Sequence, residues 1–171
     1  MADEDIEAQF KAVVAAAANL LKPQGFKKRG YTLRRTDHGN MELVEFQRSL
    51  TSSAQSLKFT ANIGVVSSYL ASQNETELAR AGSADAHLRR RIGTFLQEPR
   101  DKWWELNAQH QPDQVIEEIS SLLLECVVPY LDEHSSDTAL VSLWETGHAP
   151  GLTDTLRARY LSTLKACDRP S

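Results

Sequence analysis

The stretch LKFTANIGV, Leu57 to Val65, decides the fold class, because Leu57, Phe59, Ala61, Ile63 and Val65 fall on one parity and Lys58, Thr60 and Asn62 on the other. Successive side chains of a strand point to opposite faces, so this period of two predicts a strand with one face in a core and the other wet or covered by a partner. The period recurs upstream. Tyr31, Leu33 and Arg35 alternate with Thr32 and Arg34, DHGN (Asp37 to Asn40) offers hairpin-turn residues, and in MELVEFQRS Val44 and Phe46 alternate with Glu45 and Gln47. Ser52 and Ser53 mark the next turn. Downstream, Leu88, Arg90 and Ile92 alternate with Arg89 and Arg91, and Trp103 and Trp104 take opposite sides of a further short strand.

Helical spacing flanks these runs. Ile6, Phe10, Val13, Val14, Ala17, Leu20 and Leu21 predict a helix over residues 4–22, stopped by Pro23 and Gly25. After Pro112, which suits a first helical turn, a stripe from Val115 through Ile119, Leu123 and Val127 to Leu131 is the strongest helical pattern in the chain. Shorter helices are expected over 137–144 and from Leu152 to Leu164. Between strands, residues 67–86 are polar and small; they read as the main surface loop and the most mobile element, with one helical turn around 75–81. The order helix, strands, helices predicts an α+β fold, with an antiparallel sheet of about five strands packed on one face by the N-terminal and C-terminal helices. No repeat or Pro-rich linker divides the sequence, so residues 1–171 read as a single domain.

Hydrophobic residues make up 41% of the 171 and charged residues 25%, which is globular usage and needs no disulfide or metal staple. The start MADEDIEAQF is acidic and meets only the short run VVAAAANLL before Lys22, which argues against a signal peptide or membrane span and for the cytoplasm. Cys126 and Cys167 read as two buried or half-buried free thiols rather than a disulfide. The net charge of −4 conceals a division: residues 1–21 carry −3, residues 22–102 carry +6 and residues 103–171 carry −7. A basic middle between acidic ends suits an acidic partner or nucleic acid, or two faces of one domain that attract each other.

GFKKRGYTLRR, LVEFQRS, KFTANIGV, HLRRRIG and KWWEL, in this order and spacing, resemble the bacterial domain-of-unknown-function family numbered 4304. The resemblance covers residues 5–131 and leaves a C-terminal helical extension over 137–167 unmatched. It implies a bacterial intracellular protein with no assigned activity.

Chemical signatures are scarce. A Walker loop, a Rossmann glycine turn, His-Glu-x-x-His, Cys-x-x-Cys and Gly-x-Ser-x-Gly are all missing, which excludes those nucleotide, zinc and serine-hydrolase arrangements. His38, His87, His110, His134 and His148 fall in predicted loops or element ends and read as polar loop residues. Asp132, Glu133, His134 and Asp137 form the densest group of potential ligands, read as a solvated helix end rather than a metal site. Glu42 and Glu45 differ in parity and make no same-face pair. No catalytic residue, metal or cofactor is assigned.

RRRIG (Arg89 to Gly93) and KWWEL (Lys102 to Leu106) leave two accounts open, scaffold and binding face. Strand parity puts Arg89 and Arg91 on one face and Arg90 on the other, where Arg90 reads as structural, its head paired with an acid of the long helix such as Glu117 or Glu118. On a binding face, Arg34, Lys58, Arg89 and Arg91 form the contact set, Arg48 adjoins them, and one of Trp103 and Trp104 joins while the other is core, since Trp and Arg dominate interfaces. The expected function is a non-enzymatic module that binds another protein, as an immunity or antitoxin-like neutraliser does. The alternative is a nucleic-acid-binding module on the basic sheet face, against which the pI of about 5.7 counts. The partner and the oligomeric state are not legible.

Overall fold

The computed structural model describes residues 2–109 and 112–167, and the strand with the clearest alternation, β4 (Ser56–Val66), is the hub of its sheet. β1 (Lys27–Arg29), β2 (Thr32–Asp37) and β3 (Asn40–Arg48) lead up to it as successive antiparallel neighbours. Its far edge is shared: β5 (Leu88–Arg91) pairs with residues 62–65 and β6 (Trp104–Asn107) with residues 56–59. At the β2–β3 hairpin, Asp37 pairs with Asn40, and the two loop residues His38 and Gly39 both have positive φ, 47° and 78°. That backbone twist matches the twist of the flanking strands. The fold is α+β, an antiparallel sheet with helices before and after it.

The odd-numbered apolar side chains of β4 and their cross-strand partners Val44, Phe46 and Leu33 form one face of the core. α1 (Ala2–Leu21) covers it with Phe10, Val13, Val14 and Ala17, the Phe10 ring lying 5.2 Å from that of Phe59. Fully burying a side chain of this class contributes roughly 1.5–3 kcal/mol. Polar contacts fix the helix in register: the Tyr31 hydroxyl donates to Glu7 at 3.0 Å, and Arg48 pairs with Glu7 at 2.8 Å. Arg48 is therefore tied to α1 and does not join the opposite sheet face. α3 (Pro112–Leu122) continues through a π-helical segment, Leu123–Val127, into α4 (Val128–His134). α5 (Asp137–Glu145) and α6 (Asp154–Cys167) follow, and Leu140, Trp144 and Leu164 enter the same core as the sheet. Asn40, 1% exposed, donates to Ser135 O and Asp137 Oδ1 and accepts from Ser68 N–H, each at 2.9 Å. One buried amide thus joins the start of β3 to the α4–α5 turn and to α2 (Ser68–Gln73).

The expected surface loop over residues 67–86 is instead a cover for the second sheet face. Its Leu70, Ala71, Ala81 and Ala86 are buried, and the alanines pack with Met41, Leu43 and Val66 as a small second core. The cause is the apolar end of the second face, Met41 and Leu43 on β3 and Val66 opposite Met41 on β4, which needs covering, and the small residues that let backbone approach it. A Cβ on Gly64 would stand 2.7 Å from that of Ala86. His87 and His134, expected as polar loop residues, are buried as well, while His110 lies outside the described residues. Both thiols are free, with Cys126 half-buried and Cys167 exposed rather than packed. Among the described residues, no helix is long and apolar enough to cross a membrane.

Candidate functional site

The register of β5 sets the site. Arg89 lies opposite Gly64 and Arg91 opposite Asn62 on the second face, while Arg90 lies opposite Ile63 on the core face. The parity division therefore holds, yet all three arginines line one cleft of about 960 Å³. β5 is an edge strand, and the cleft wraps around that edge. Tyr130 of α4 forms part of one wall and residues 148–151, between α5 and α6, form part of the other. On the floor, Asn62 donates to Gln47 Oε1 at 2.8 Å.

Each arginine is held differently. The Arg89 backbone N–H donates to Pro150 O and its guanidinium to Gly151 O, both at 3.2 Å, so it clamps the α5–α6 connection. Its buried Nε has no hydrogen-bond partner among the described residues. Gly151 has φ 79°, and a Cβ there would meet that of Arg89 at 2.7 Å, which is why the connection can lie so close. The Arg90 guanidinium lies 3.9 Å from the Phe95 ring centroid and 4.7 Å from that of Tyr130, and donates to Thr94 Oγ1 and Thr94 O. Its expected partners, Glu117 and Glu118, are not its partners here; Glu118 accepts from Trp104 Nε1 at 2.9 Å. The 3-10 turn Ile92–Phe95 brings Thr94 and Phe95 back to Arg90, and a guanidinium set against two rings that meet edge-on, 5.2 Å apart, satisfies cation–π attraction without an acid. Arg91 pairs with Asp101 at 3.2 Å and lies 5.1 Å from the Trp103 ring centroid, while Trp103 Nε1 donates to the other oxygen of Asp101.

The contact set drawn from sequence therefore separates. Arg89, Arg91 and Trp103 come together at the β5 edge. Trp104, 3% exposed, is the core member of its pair and stacks on Phe59. Arg34 and Arg89 share one row of the second face through Leu43 and Gly64, but the 78–86 segment lies between them, with Ala86 over Gly64. Arg34 Nε donates to Ala81 O at 3.0 Å. Lys58 is exposed on β4, four residues along from Asn62 and outside the cleft lining.

A carboxylate group was missed. Asp37, Glu42 and Asp132 each place an oxygen within 4.8 Å of the others. Arg35 joins two of them, donating to Glu42 and to Asp132. Glu42 is fully buried, and burial raises its carboxyl above the usual range despite the opposing pull of Arg35. The available signal was its parity, since Glu42 shares the inward positions of Val44 and Phe46. Arg35 already neutralises one oxygen of Glu42 and one of Asp132, while Glu42 Oε1 is buried without a hydrogen-bond partner among the described residues. The helix-end group expected around His134 disperses: His134 Nδ1 bonds Tyr130 O at 2.8 Å, and Asp137 accepts from Asn40.

The cleft's chemistry is that of an anion binder. Its lining holds three arginines and no carboxylate, with Tyr130, Leu143 and Pro150 as apolar wall. Burial raises the Tyr130 hydroxyl pKa, Arg90 opposing, so it stays protonated at neutral pH. At the rim, His148 Nδ1 lies 3.0 Å from the Thr146 hydroxyl, but that hydroxyl already donates to Leu143 O at 2.6 Å. The imidazole is then the donor, the reverse of what activates a nucleophile. Residues 17–133 match the family described as Domain of unknown function (DUF4304). No curated protein and no solved structure matches the chain.

Proposed function

The chain belongs to the DUF4304 family, and from that premise we propose that it is a non-enzymatic bacterial protein of the cytoplasm whose β5-edge cleft takes an acidic segment of a partner protein. One observation carries the reading: three arginines reach a cleft whose lining has apolar walls and no carboxylate. Such a site favours carboxylates flanked by apolar side chains, the mixed chemistry of protein interfaces. Neutralisation of the partner, as by immunity or antitoxin proteins, suits a site with binding groups and no activated nucleophile. The nucleic-acid reading needs a continuous cationic track, and the 78–86 segment lies between Arg34 and the β5 arginines.

The test is affinity capture on the tagged full chain from the host lysate, in nuclease-treated and untreated halves, beside the Arg89→Glu/Arg91→Glu variant. One protein held at a fixed stoichiometry in both halves, and lost in a variant whose melting temperature shows that it folds, is the expected result. Capture that disappears with nuclease moves the site to nucleic acid. Capture unchanged in the variant removes the cleft from the interaction.

A further inference from the structure

At the opposite edge of the sheet lies a second pocket, of about 400 Å³, lined by Lys27, Lys28, Arg29, Arg34 and Arg35 with no carboxylate among its lining residues. Register explains part of this convergence. Lys27 pairs with Arg34 and Arg29 with Thr32, so Lys27, Arg29 and Arg34 project from the same face. Arg35 is electrically committed to Glu42 and Asp132. Arg34 is held in place by its bond to Ala81 O and, among the described residues, makes no ion pair. Lys27, Lys28 and Arg29 are exposed and, among the described residues, have no ion-pair partner, whereas Arg48, Arg91, Arg157 and Lys165 each have one.

Lysines on an edge strand also discourage other strands from adding to it. That role accounts for charge on β1. It does not account for Arg34 on the inner neighbour β2, nor for a pocket whose lining also includes Met41 and Ala79. Neighbouring like charges repel, and the repulsion grows beside low-dielectric wall, so an anion that bridges them is stabilised by every member. An anchored guanidinium offers a fork that fits tetrahedral oxyanions, with lysines as adjustable point charges. The volume falls within the range of roughly 300–1,000 Å³ usual for small-ligand sites.

We propose that this pocket is an oxyanion site that receives the phosphate group of a phosphate-bearing ligand, supplied by a small phosphate ester or by a phosphodiester chain. It stands on geometry separate from the β5 cleft, so either site can fail without the other.

The experiment is an amide NMR titration of the full chain with inorganic pyrophosphate, ionic strength held constant with potassium chloride. Saturable shifts confined to residues 25–36 and 79–81 are expected. Lys27→Gln should weaken them about tenfold, since it removes one charge-assisted contact to the anion; this exposed position carries little risk to folding. Arg34→Gln should do the same. A parallel titration with a short single-stranded oligonucleotide separates the sources: competition with pyrophosphate assigns the phosphate to a chain, and binding of pyrophosphate alone assigns it to a small ligand. Shifts that rise linearly without saturation, that spread equally to Lys11 and Lys58, or that persist unchanged in Lys27→Gln overturn the site.

Discussion

Replacing His87 by glutamine removes one titrating group from the junction of β4, β5 and α6, and the loss is readable in the pH dependence of stability. His87 is 4% exposed; its Nδ1 accepts from Ser67 N–H at 3.1 Å, and its ring meets Tyr160 of α6 edge-on at 5.0 Å. Burial lowers its pKa from 6.5 to about 4, partly offset by Asp137 and Asp85 and reinforced by Arg89. The unfolded chain therefore binds this proton more readily than the folded one between pH 6.5 and about 4. The sign follows: the contribution is full above the unfolded pKa and is lost as pH falls through that window. At about 1.4 kcal/mol per pKa unit, the loss is roughly 1.4 kcal/mol on going from about pH 8 to about pH 5.5, and about 3 kcal/mol below pH 4. Glu42 acts in the opposite sense, because its raised carboxyl pKa makes the folded state take up protons more readily. The quantity to measure is therefore the difference between wild type and His87→Gln in urea-unfolding free energy, taken at matched pH values. The variant, whose amide oxygen can still accept from Ser67, should be flatter by the stated amounts between pH 8 and pH 5.5. Parallel curves within about 0.3 kcal/mol, or an imidazole proton titrating near pH 6.5 by NMR, would refute the burial argument.

Two further substitutions test the structural roles assigned around β5. Arg90→Ala should destabilise by about 2 kcal/mol in urea unfolding, through two lost ring contacts and the Thr94 bonds; Arg90→Lys should recover less than half, since an ammonium lacks the planar fork that reaches Thr94 Oγ1 and Thr94 O together. An Arg90→Ala cost under about 0.5 kcal/mol would mean the stack is incidental. Gly93→Ala places a Cβ 2.2 Å from Arg100 O and 2.6 Å from Lys102 N, backbone atoms that must move. Its expected cost is about 2–3 kcal/mol, together with slackening of the Thr60 bond to Lys102 O; a melting temperature equal to wild type would show that the 100–102 segment yields freely.

The sequence by itself determined the elements, because periodicity is a local property. Alternation in LKFTANIGV set a strand and its core face, DHGN set the hairpin, and the spacing from Ile6 to Leu21 and from Val115 to Leu131 set the two main helices. It also divided the arginine triple correctly, since parity along a strand does not depend on what the strand packs against. Tertiary structure alone decided what each charge meets. Arg90 found Phe95 and Tyr130 rather than an acid of α3, because a tight turn after β5 outcompetes a helix across the core. Residues 67–86 had no period to read, yet their alanines fit a sheet face whose apolar end was visible only once β3 and β4 were in register. The two basic pockets arose in the same way. The second joins Lys27 to Arg34 only through strand pairing, which brings residues apart in the chain to about 5 Å across a sheet, and the first joins the consecutive β5 arginines to Tyr130 and Gly151 only through packing of distant elements.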